Sequence, residues 1–161
     1  PSGTPAYKDK SPIVSAVDRC NMVKLAIKPF DYMSLSTIET DRPGNTYTAD
    51  TLAQIYDSYK KIYFIIGADS LLYIQDWYHP EYICSHCHLL CANRDNNSAS
   101  VLIDQKHFLA DKYGAVIDFL DVPELPYSST DIRKKVAMGL SVKEDVGEEV
   151  EEYIKSRKLY V

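Results

Sequence analysis

The chain has 161 residues, enough for one hydrophobic core and too few for two well-buried domains. Its formal net charge of -5 gives no global positive field, so nucleic acid and anionic membranes are not expected partners. No apolar stretch approaches the roughly 20 residues of a membrane span, no signal peptide is recognised, and four cysteines among ordinary neighbours suit a reducing cytoplasm.

The first part of the chain predicts two helices with a strand between them. Apolar residues recur at helical spacing between residues 15 and 28, so we expect an amphipathic helix that Pro29 ends. Residues 32–38 indicate a strand, and residues 41–45 carry the turn residues of a loop. A second helical pattern runs from Ala49 to Tyr59. The apolar positions of the first helix are Ala16, Cys20, Val23 and Ile27.

Three short apolar runs indicate the strands of one sheet, at residues 62–66, 88–92 and 115–120. The first run is apolar on both faces, which fits a central parallel strand better than an edge. Two final helices are predicted at residues 129–139 and 144–156, and the second turns Val146, Val150 and Ile154 inward. Strands that alternate with helices predict a single α/β domain, with a mainly parallel sheet and helices on both faces.

Ligands of open parallel sheets bind beyond the carboxyl ends of the strands, so candidate site residues should follow the apolar runs. Gly67 ends the first run and would let the backbone approach a ligand closely, and Asp69 could accept hydrogen bonds from ribose hydroxyls. The alternative is a tight turn in which Asp69 caps the next helix.

The helix start at residues 127–133 is a second candidate. Ser128, Ser129 and Thr130 would leave backbone N–H groups free to meet a phosphate, which the helix dipole also favours. Arg133 in the first turn would add a fork of donors. The alternative is a plain cap, because Ser128 and Asp131 have capping-box spacing.

Trp77 and Tyr78 lie in a polar segment, where an aromatic ring suits stacking on a flat heterocycle; the alternative is that the indole anchors the segment to the core. Cys84, Cys87 and Cys91 lie close together but lack the second ligand pair of a structural zinc site, so we interpret them as small buried apolar residues and predict no metal site. The 13 tyrosines suit a self-association surface as well as a core, which leaves a homo-oligomer open.

Several co-linear segments together resemble the bacterial nicotinate-mononucleotide adenylyltransferases, and the similarity extends from Pro1 to Val161. These segments are residues 16–19 with Met22, 45–52, 64–71 with Trp77 and Tyr78, Asn93 with Arg94, 128–133, 152–154 and 159–160. The resemblance implies a Rossmann-like nucleotidyltransferase fold. It also implies transfer of the adenylyl group of ATP to nicotinate mononucleotide, with release of pyrophosphate and help from Mg2+.

The same resemblance implies roles for individual residues. Trp77 would stack on the pyridine ring, and backbone amides near Ala49 and Tyr78, with Thr48, would hold the nicotinate carboxylate. On the ATP side, Gly67 and Asp69 would contact the ribose region, while Ser128, Ser129 and Arg133 would bind phosphates. Lys8 matches a lysine of a Pro-Pro-His-Lys element that reads Pro5-Ala6-Tyr7-Lys8 here.

One departure from the family concerns its catalytic histidines. The family opens with a strand, a Gly-Gly-Thr-Phe-Asp-Pro loop and a His-x-Gly-His motif, and none of these is in the sequence. The sequence therefore predicts an N-terminally incomplete domain with no catalytic histidine pair, in which Arg133 has a supporting role. Two alternatives follow: another adenylyltransferase of the superfamily, such as one that uses pantetheine phosphate, or a non-catalytic nucleotide-binding domain.

Overall fold

The computed structural model describes residues 1–5, 14–59, 61–92, 99–123 and 127–161. The chain divides into two compact units, one of residues 1–46 and 126–161 and the other of residues 47–125. Within the described residues, no helix is long and apolar enough to cross a membrane.

In the unit of residues 47–125, the described residues form three parallel strands, in the order β3-β4-β5. Its strands are β3 (Tyr63–Gly67), β4 (His88–Ala92) and β5 (Val116–Leu120), which confirms the three apolar runs to within a residue. Its helices are α2 (Thr48–Ile55), continued by a 3-10 turn at Tyr56–Ser58, α3 (Ala68–Tyr73), α4 (Pro80–His86) and α5 (Ala99–Tyr113).

The core of this unit lies between one face of the sheet and its helices. Ile66, Leu89 and Ile117 point into this core from the three strands. The opposite face is uncovered in places, since Tyr63 is 51% exposed and Ile65 66%. The helices contribute the fully buried side chains Leu71, Ile74, Ile83 and Leu109. Each such side chain stabilises the fold by about 1.5–3 kcal/mol relative to exposure.

The central position predicted for residues 62–66 is wrong for the part of the chain that the structure describes. There β3 lies at one end of the sheet, and β4 is the strand with neighbours on both sides. Alternate β4 residues, Leu89 and Cys91, are completely buried. An apolar run reports the burial of side chains, and an end strand with one buried face satisfies that pattern as well.

The part of the other unit that the structure describes contains a short parallel pair, β1 (Thr4–Pro5) with β2 (Asn45–Thr46), and four helices. The helices are α1 (Ala16–Ile27), α6 (Ser129–Ala137), α7 (Lys143–Val146) and α8 (Glu148–Ser156). The strand expected at residues 32–38 is absent: turns lie at both ends of the segment, where the N–H of Met33 bonds to the carbonyl of Phe30 and the N–H of Asp41 to that of Thr37. Such local bonds leave no ladder for a partner strand.

Gly147 divides the helix expected at residues 144–156 into α7 and α8. Its φ of 85° lies in the left-handed region that glycine adopts at little cost, and its N–H bonds to the carbonyl of Lys143. The inward direction of Val150 and Ile154 is confirmed, since both are buried with Val136 and Val142 in one apolar cluster.

The apolar face predicted for α1 is confirmed in part: Ala16, Cys20 and Ile27 are half-buried, whereas Val23 is 37% exposed. Met22 and Leu25 also pack on the apolar cluster of this unit. The buried side chain of α1 is a carboxylate: Asp18 accepts hydrogen bonds from Ser15 Oγ (2.6 Å) and Tyr153 Oη (2.8 Å). These bonds, led by that of Ser15, hold the pKa of Asp18 below its ordinary value.

Arg19, the next residue of α1, fastens the start of the chain. Its guanidinium donates to the carbonyls of Ser2, Gly3 and Val14 at 2.5, 3.0 and 3.2 Å. Gly3 lies so close to the carbonyl oxygen of Glu39 that a Cβ there would clash with it. The segment before β1 is thus held by its backbone.

Glu151 joins α8 to the loop before α7. It is buried and accepts hydrogen bonds from Ser141 Oγ (2.7 Å) and the N–H of Val142 (2.8 Å), and pairs with Lys155 (2.9 Å). These donors, led by Ser141, lower the pKa of Glu151 to about 2.

Candidate active site

A cavity of about 620 Å³ opens in the unit of residues 47–125, beside α2 and α4. It brings together Ala49 and Tyr78, the two positions at which the resemblance implies contacts with the nicotinate carboxylate. The side chain of Ala49 is buried, while Tyr78 is 44% exposed. The cavity is also lined by Asp50, Ala53, His79, Glu81, Tyr82, Ser85, Lys112 and Tyr113.

The first turn of α2 supplies backbone donors at this place. The intrahelical bonds start at Thr51, whose N–H bonds to the carbonyl of Tyr47 (3.2 Å), so the N–H groups of Thr48 and Ala49 come before the helical ladder. Such groups are available to caps, water or ligands, and the helix dipole favours an anion there. The rings of Tyr47 and Tyr78 lie 4.5 Å apart and form an aromatic wall next to this turn.

Trp77 is half-buried and packs inward, edge-on to Phe64 with ring centroids 6.4 Å apart. The interpretation that the indole anchors its segment to the core is therefore confirmed for the part of Trp77 that packs on Phe64. The ring also retains exposed surface, and its role in stacking stays a prediction.

The chain turns sharply between Tyr78 and α4. His79 has a φ of 50°, in the left-handed region that is costly for a residue with a side chain, and it directly precedes Pro80. Its Nδ1 lies 2.9 Å from Glu81 Oε1, and this hydrogen bond holds the pKa of Glu81 below its ordinary value. The sequence analysis assigned no role to His79 or Glu81, because left-handed backbone at a histidine carries no sequence signal.

Gly67 ends β3 and is the N-cap of α3. Its φ of -81° is open to any residue, so the glycine is not required by backbone conformation. Asp69 is exposed in the first turn of α3, and α3 has no side-chain hydrogen bond at its cap. The capping alternative for Asp69 is therefore wrong, while its contact with a ribose stays a prediction.

In the other unit, Ser128 caps α6. Its Oγ accepts the N–H of Asp131 (3.0 Å) and donates to the Asp131 carboxylate (2.6 Å), so the capping interpretation is confirmed. Ser129 and Arg133 are exposed, and Arg133 reaches Thr130 Oγ1 at 3.4 Å. The cap at Ser128 is established, and phosphate binding at the start of α6 stays a prediction.

The cysteines near α4 are buried thiols, as the sequence predicts. Cys84, Cys87 and Cys91 are between 0% and 8% exposed. Burial raises the pKa of Cys84 to about 11 and that of Cys87 to about 12, which removes them as thiolate nucleophiles at neutral pH. Among the described residues, no group of three His, Cys, Asp or Glu side chains could hold a metal ion.

Three residues named in the sequence analysis, Lys8, Asn93 and Arg94, lie outside the residues that the structure describes. Tyr82, Lys112 and Tyr113 line the cavity without any sequence pattern that predicts it. Their periodicity within α4 and α5 is that of ordinary helix positions, and only the packing of the two helices brings them to one cavity.

Comparison with known proteins defines the class first. The cytidylyltransferase-like family matches residues 1–135. A nicotinic acid mononucleotide adenylyltransferase of Plasmodium falciparum, solved with NaAD, is similar over 95% of this chain and 78% of its own, with a TM-score of 0.72 at 17% identity. The same enzyme solved with APC gives a TM-score of 0.66 at 16% identity. The fold is therefore the Rossmann-like nucleotidyltransferase fold, as predicted.

Relatives with higher sequence identity show which family within this class the chain belongs to. A probable nicotinate-nucleotide adenylyltransferase of Lachnoclostridium phytofermentans is 36% identical over 163 residues, which cover 100% of this chain and 82% of the relative. One from Moorella thermoacetica is 37% identical over 99% of this chain and 75% of its own length. The chain belongs to the nicotinate-nucleotide adenylyltransferase family.

Proposed function

We propose that the protein transfers the adenylyl group of ATP to nicotinate mononucleotide, a step of NAD biosynthesis that yields nicotinate adenine dinucleotide and pyrophosphate. The observation that carries this proposal is the 36% identity to a relative of that name along the whole of this chain. The nucleotidyltransferase fold supports the same reaction type.

In this reaction the phosphate oxygen of the mononucleotide attacks the α-phosphorus of ATP. A new P–O bond forms as the bond to the β-phosphate breaks, and pyrophosphate leaves. No covalent enzyme intermediate is needed, so the protein contributes by positioning two anions and stabilising charge on the transferred phosphorus. A chain with a net charge of -5 needs local donors for that task.

The nicotinate group would bind beside the first turn of α2. An aromatic carboxylate needs hydrogen-bond donors for its charge and a flat apolar surface for its ring. The amides of Ala49 and Tyr78, with Thr48, would supply the donors, and the exposed surface of Trp77 would supply the stacking face. The shared cavity of Ala49 and Tyr78 supports this assignment.

Two sets of residues are proposed for the ATP side. Gly67 and Asp69 would meet the ribose region, and Ser128, Ser129 and Arg133 would meet the phosphates. The exposed guanidinium of Arg133 and the helix start at Ser129 supply positive charge and N–H donors, the groups that phosphates prefer. Lys8 would contribute a further cation.

Mg2+ would enter with ATP as part of the substrate. This ion usually keeps several waters and binds substrate phosphates with one or two carboxylates at most, so it does not need a dedicated protein cage. When bound, the ion neutralises charge on the phosphates.

Release of pyrophosphate by the full-length natural protein tests the proposed function. Rates with ATP and nicotinate mononucleotide are compared with those for the amidated mononucleotide and for phosphopantetheine, and ATP alone serves as the control. We expect release that depends on nicotinate mononucleotide, together with formation of nicotinate adenine dinucleotide. Release only with phosphopantetheine, or ATP binding without any turnover, would contradict the proposal and favour one of the two alternatives.

A further inference from the structure

The segment at Tyr78 connects two hydrogen-bonded pieces of backbone beside the cavity. Before it, the N–H of Trp77 bonds to the carbonyl of Ile74 (3.1 Å) and ends a 3-10 turn. After it, two N–H groups of α4 bond to the carbonyl of His79, at 3.1 and 3.2 Å. Both ends of the segment are therefore fixed, and the backbone of His79 determines where Tyr78 lies relative to α4.

That backbone is unfavourable for a histidine. Its φ of 50° and ψ of 59° are left-handed, and a residue with a side chain keeps such a conformation only where the surroundings hold it. Pro80 adds to the cost, because a proline favours extended backbone at the residue before it. Contacts of the His79 side chain are therefore needed to hold the turn.

The side chain of His79 has two such contacts. Its Nδ1 donates to Glu81 Oε1 at 2.9 Å, since a carboxylate can only accept. Its ring lies edge-on to that of Tyr78, with centroids 4.2 Å apart and an angle of 73° between the planes. The ring of Tyr78 in turn lies 4.5 Å from that of Tyr47, the N-cap of α2. These contacts connect Glu81 through His79 and Tyr78 to the start of α2.

We propose that His79 and Glu81 are positioning residues, which hold Tyr78 at the place where the nicotinate carboxylate binds. His79, Glu81 and Tyr78 all line the cavity that contains Ala49. Without the hydrogen bond to Glu81, the left-handed turn loses a contact that holds it, and Tyr78 is free to shift away from the first turn of α2. The proposal rests on the proposed function, in which amides of Ala49 and Tyr78 bind that carboxylate.

The expected contribution is modest, because the side chains of His79 and Glu81 are 55% and 58% exposed. An exposed charged pair is screened by water and contributes little by itself. Its loss should therefore change the affinity for one substrate measurably while the protein stays folded.

Binding of nicotinate mononucleotide to the full-length natural protein, measured by titration calorimetry without ATP, tests the proposal apart from turnover. Glu81→Ala removes the acceptor, and we expect it to weaken this binding roughly two- to five-fold, the range for one exposed pair. The affinity for ATP should not change. Glu149→Ala is the matched control: it breaks an ion pair of similar exposure, with Lys28 at 2.7 Å in the other unit, and should leave both affinities unchanged.

Two substitutions of His79 separate its side chain from its backbone. His79→Gly adopts left-handed backbone at little cost but removes the ring, so it should keep the Tm of the natural protein and still weaken binding of the mononucleotide. His79→Asn also tolerates this backbone and carries a side-chain N–H donor, so it should bind the mononucleotide more tightly than His79→Gly does. A merely structural role predicts the opposite for Glu81→Ala, a lower Tm with unchanged affinity.

A double-mutant cycle completes the test. If Glu81 acts through His79, Glu81→Ala should have no further effect in a His79→Gly background. Unchanged affinity for the mononucleotide in Glu81→Ala, equal losses for the mononucleotide and ATP, or equal losses in both backgrounds would overturn the proposal. Absence of mononucleotide binding by the natural protein would overturn it as well. Mononucleotide binding without pyrophosphate release would refute only the proposed function.

Discussion

Trp77→Ala tests the nicotinate side of the site most directly. The indole is half-buried and packs edge-on to Phe64, so its removal has a structural and a functional effect. Truncation of a fully buried tryptophan costs about 3–5 kcal/mol, and we expect about 2 kcal/mol for one that is half-buried. For a domain of this size that lowers Tm by roughly 4–8 °C, and the variant stays folded at 25 °C.

The functional effect should fall on one substrate. Loss of an aromatic stack costs about 1–3 kcal/mol, which corresponds to a rise in the KM for nicotinate mononucleotide of roughly 5- to 150-fold. The KM for ATP should change little, because the proposed stacking of Trp77 involves only the pyridine ring of the mononucleotide. Initial rates of pyrophosphate release, with each substrate varied at saturating concentrations of the other, give both values.

Two further variants make the test strict. Phe64→Leu removes the edge contact but keeps the indole, so it should lower Tm and leave both KM values unchanged. Trp77→Phe keeps an aromatic face and should raise the KM for nicotinate mononucleotide less than Trp77→Ala does. Equal rises of both KM values in Trp77→Ala would refute the stacking role.

Three other predictions concern the unit that carries α6. Arg133→Ala should raise the KM for ATP or lower kcat, with little change in the KM for the mononucleotide, and steady-state kinetics identical to the natural protein would remove it from the site. Ser128→Ala removes the cap bond to Asp131 and should cost about 1 kcal/mol, measured by urea unfolding; an unchanged midpoint would argue against the cap. For Glu151, the lowered pKa of about 2 means that its stabilisation is complete above its ordinary pKa of 4.5 and is lost as pH falls toward 2. The Tm difference between the natural protein and Glu151→Gln should therefore be largest near pH 7 and shrink between pH 4.5 and 2, and a difference independent of pH would refute this.

The sheet was predictable because its signal is local. Residues 88–92 form an apolar run between helical patterns, and β4 has the predicted bounds, since a strand with a buried face selects such residues along its whole length. The order of the strands was not predictable in this way. Burial of one face is enough to produce an apolar run, and β3 shows that an end strand has the same composition as a central one.

The errors arose where polar or backbone interactions override periodicity. Asp18 is buried on α1, where Ser15 and Tyr153, near and distant in sequence, donate hydrogen bonds to it, and an apolar pattern cannot predict a buried carboxylate. The break at Gly147 was visible only as a single glycine in an otherwise helical pattern.

The site was predictable in part, for the same reason. The cap at Ser128 followed from its spacing to Asp131, a local signal. The cavity beside α2 depends on α4 and α5 packing together. That packing leaves no pattern in a single sequence.

Arg19 donates hydrogen bonds to the backbone carbonyls of residues 2, 3 and 14, and this changes how many positive charges of the protein are available to a ligand. The guanidinium of Arg19 already donates to three carbonyls, so it is not available to a ligand. If it bound a ligand instead, the segment of residues 2–3 that precedes β1 would lose these hydrogen bonds. The formal count of 18 Lys and Arg residues therefore overstates the cations open to an incoming polyanion. When inorganic phosphate or salt competes with a polyanion for the protein, the effect should correspond to fewer positive charges than the composition suggests.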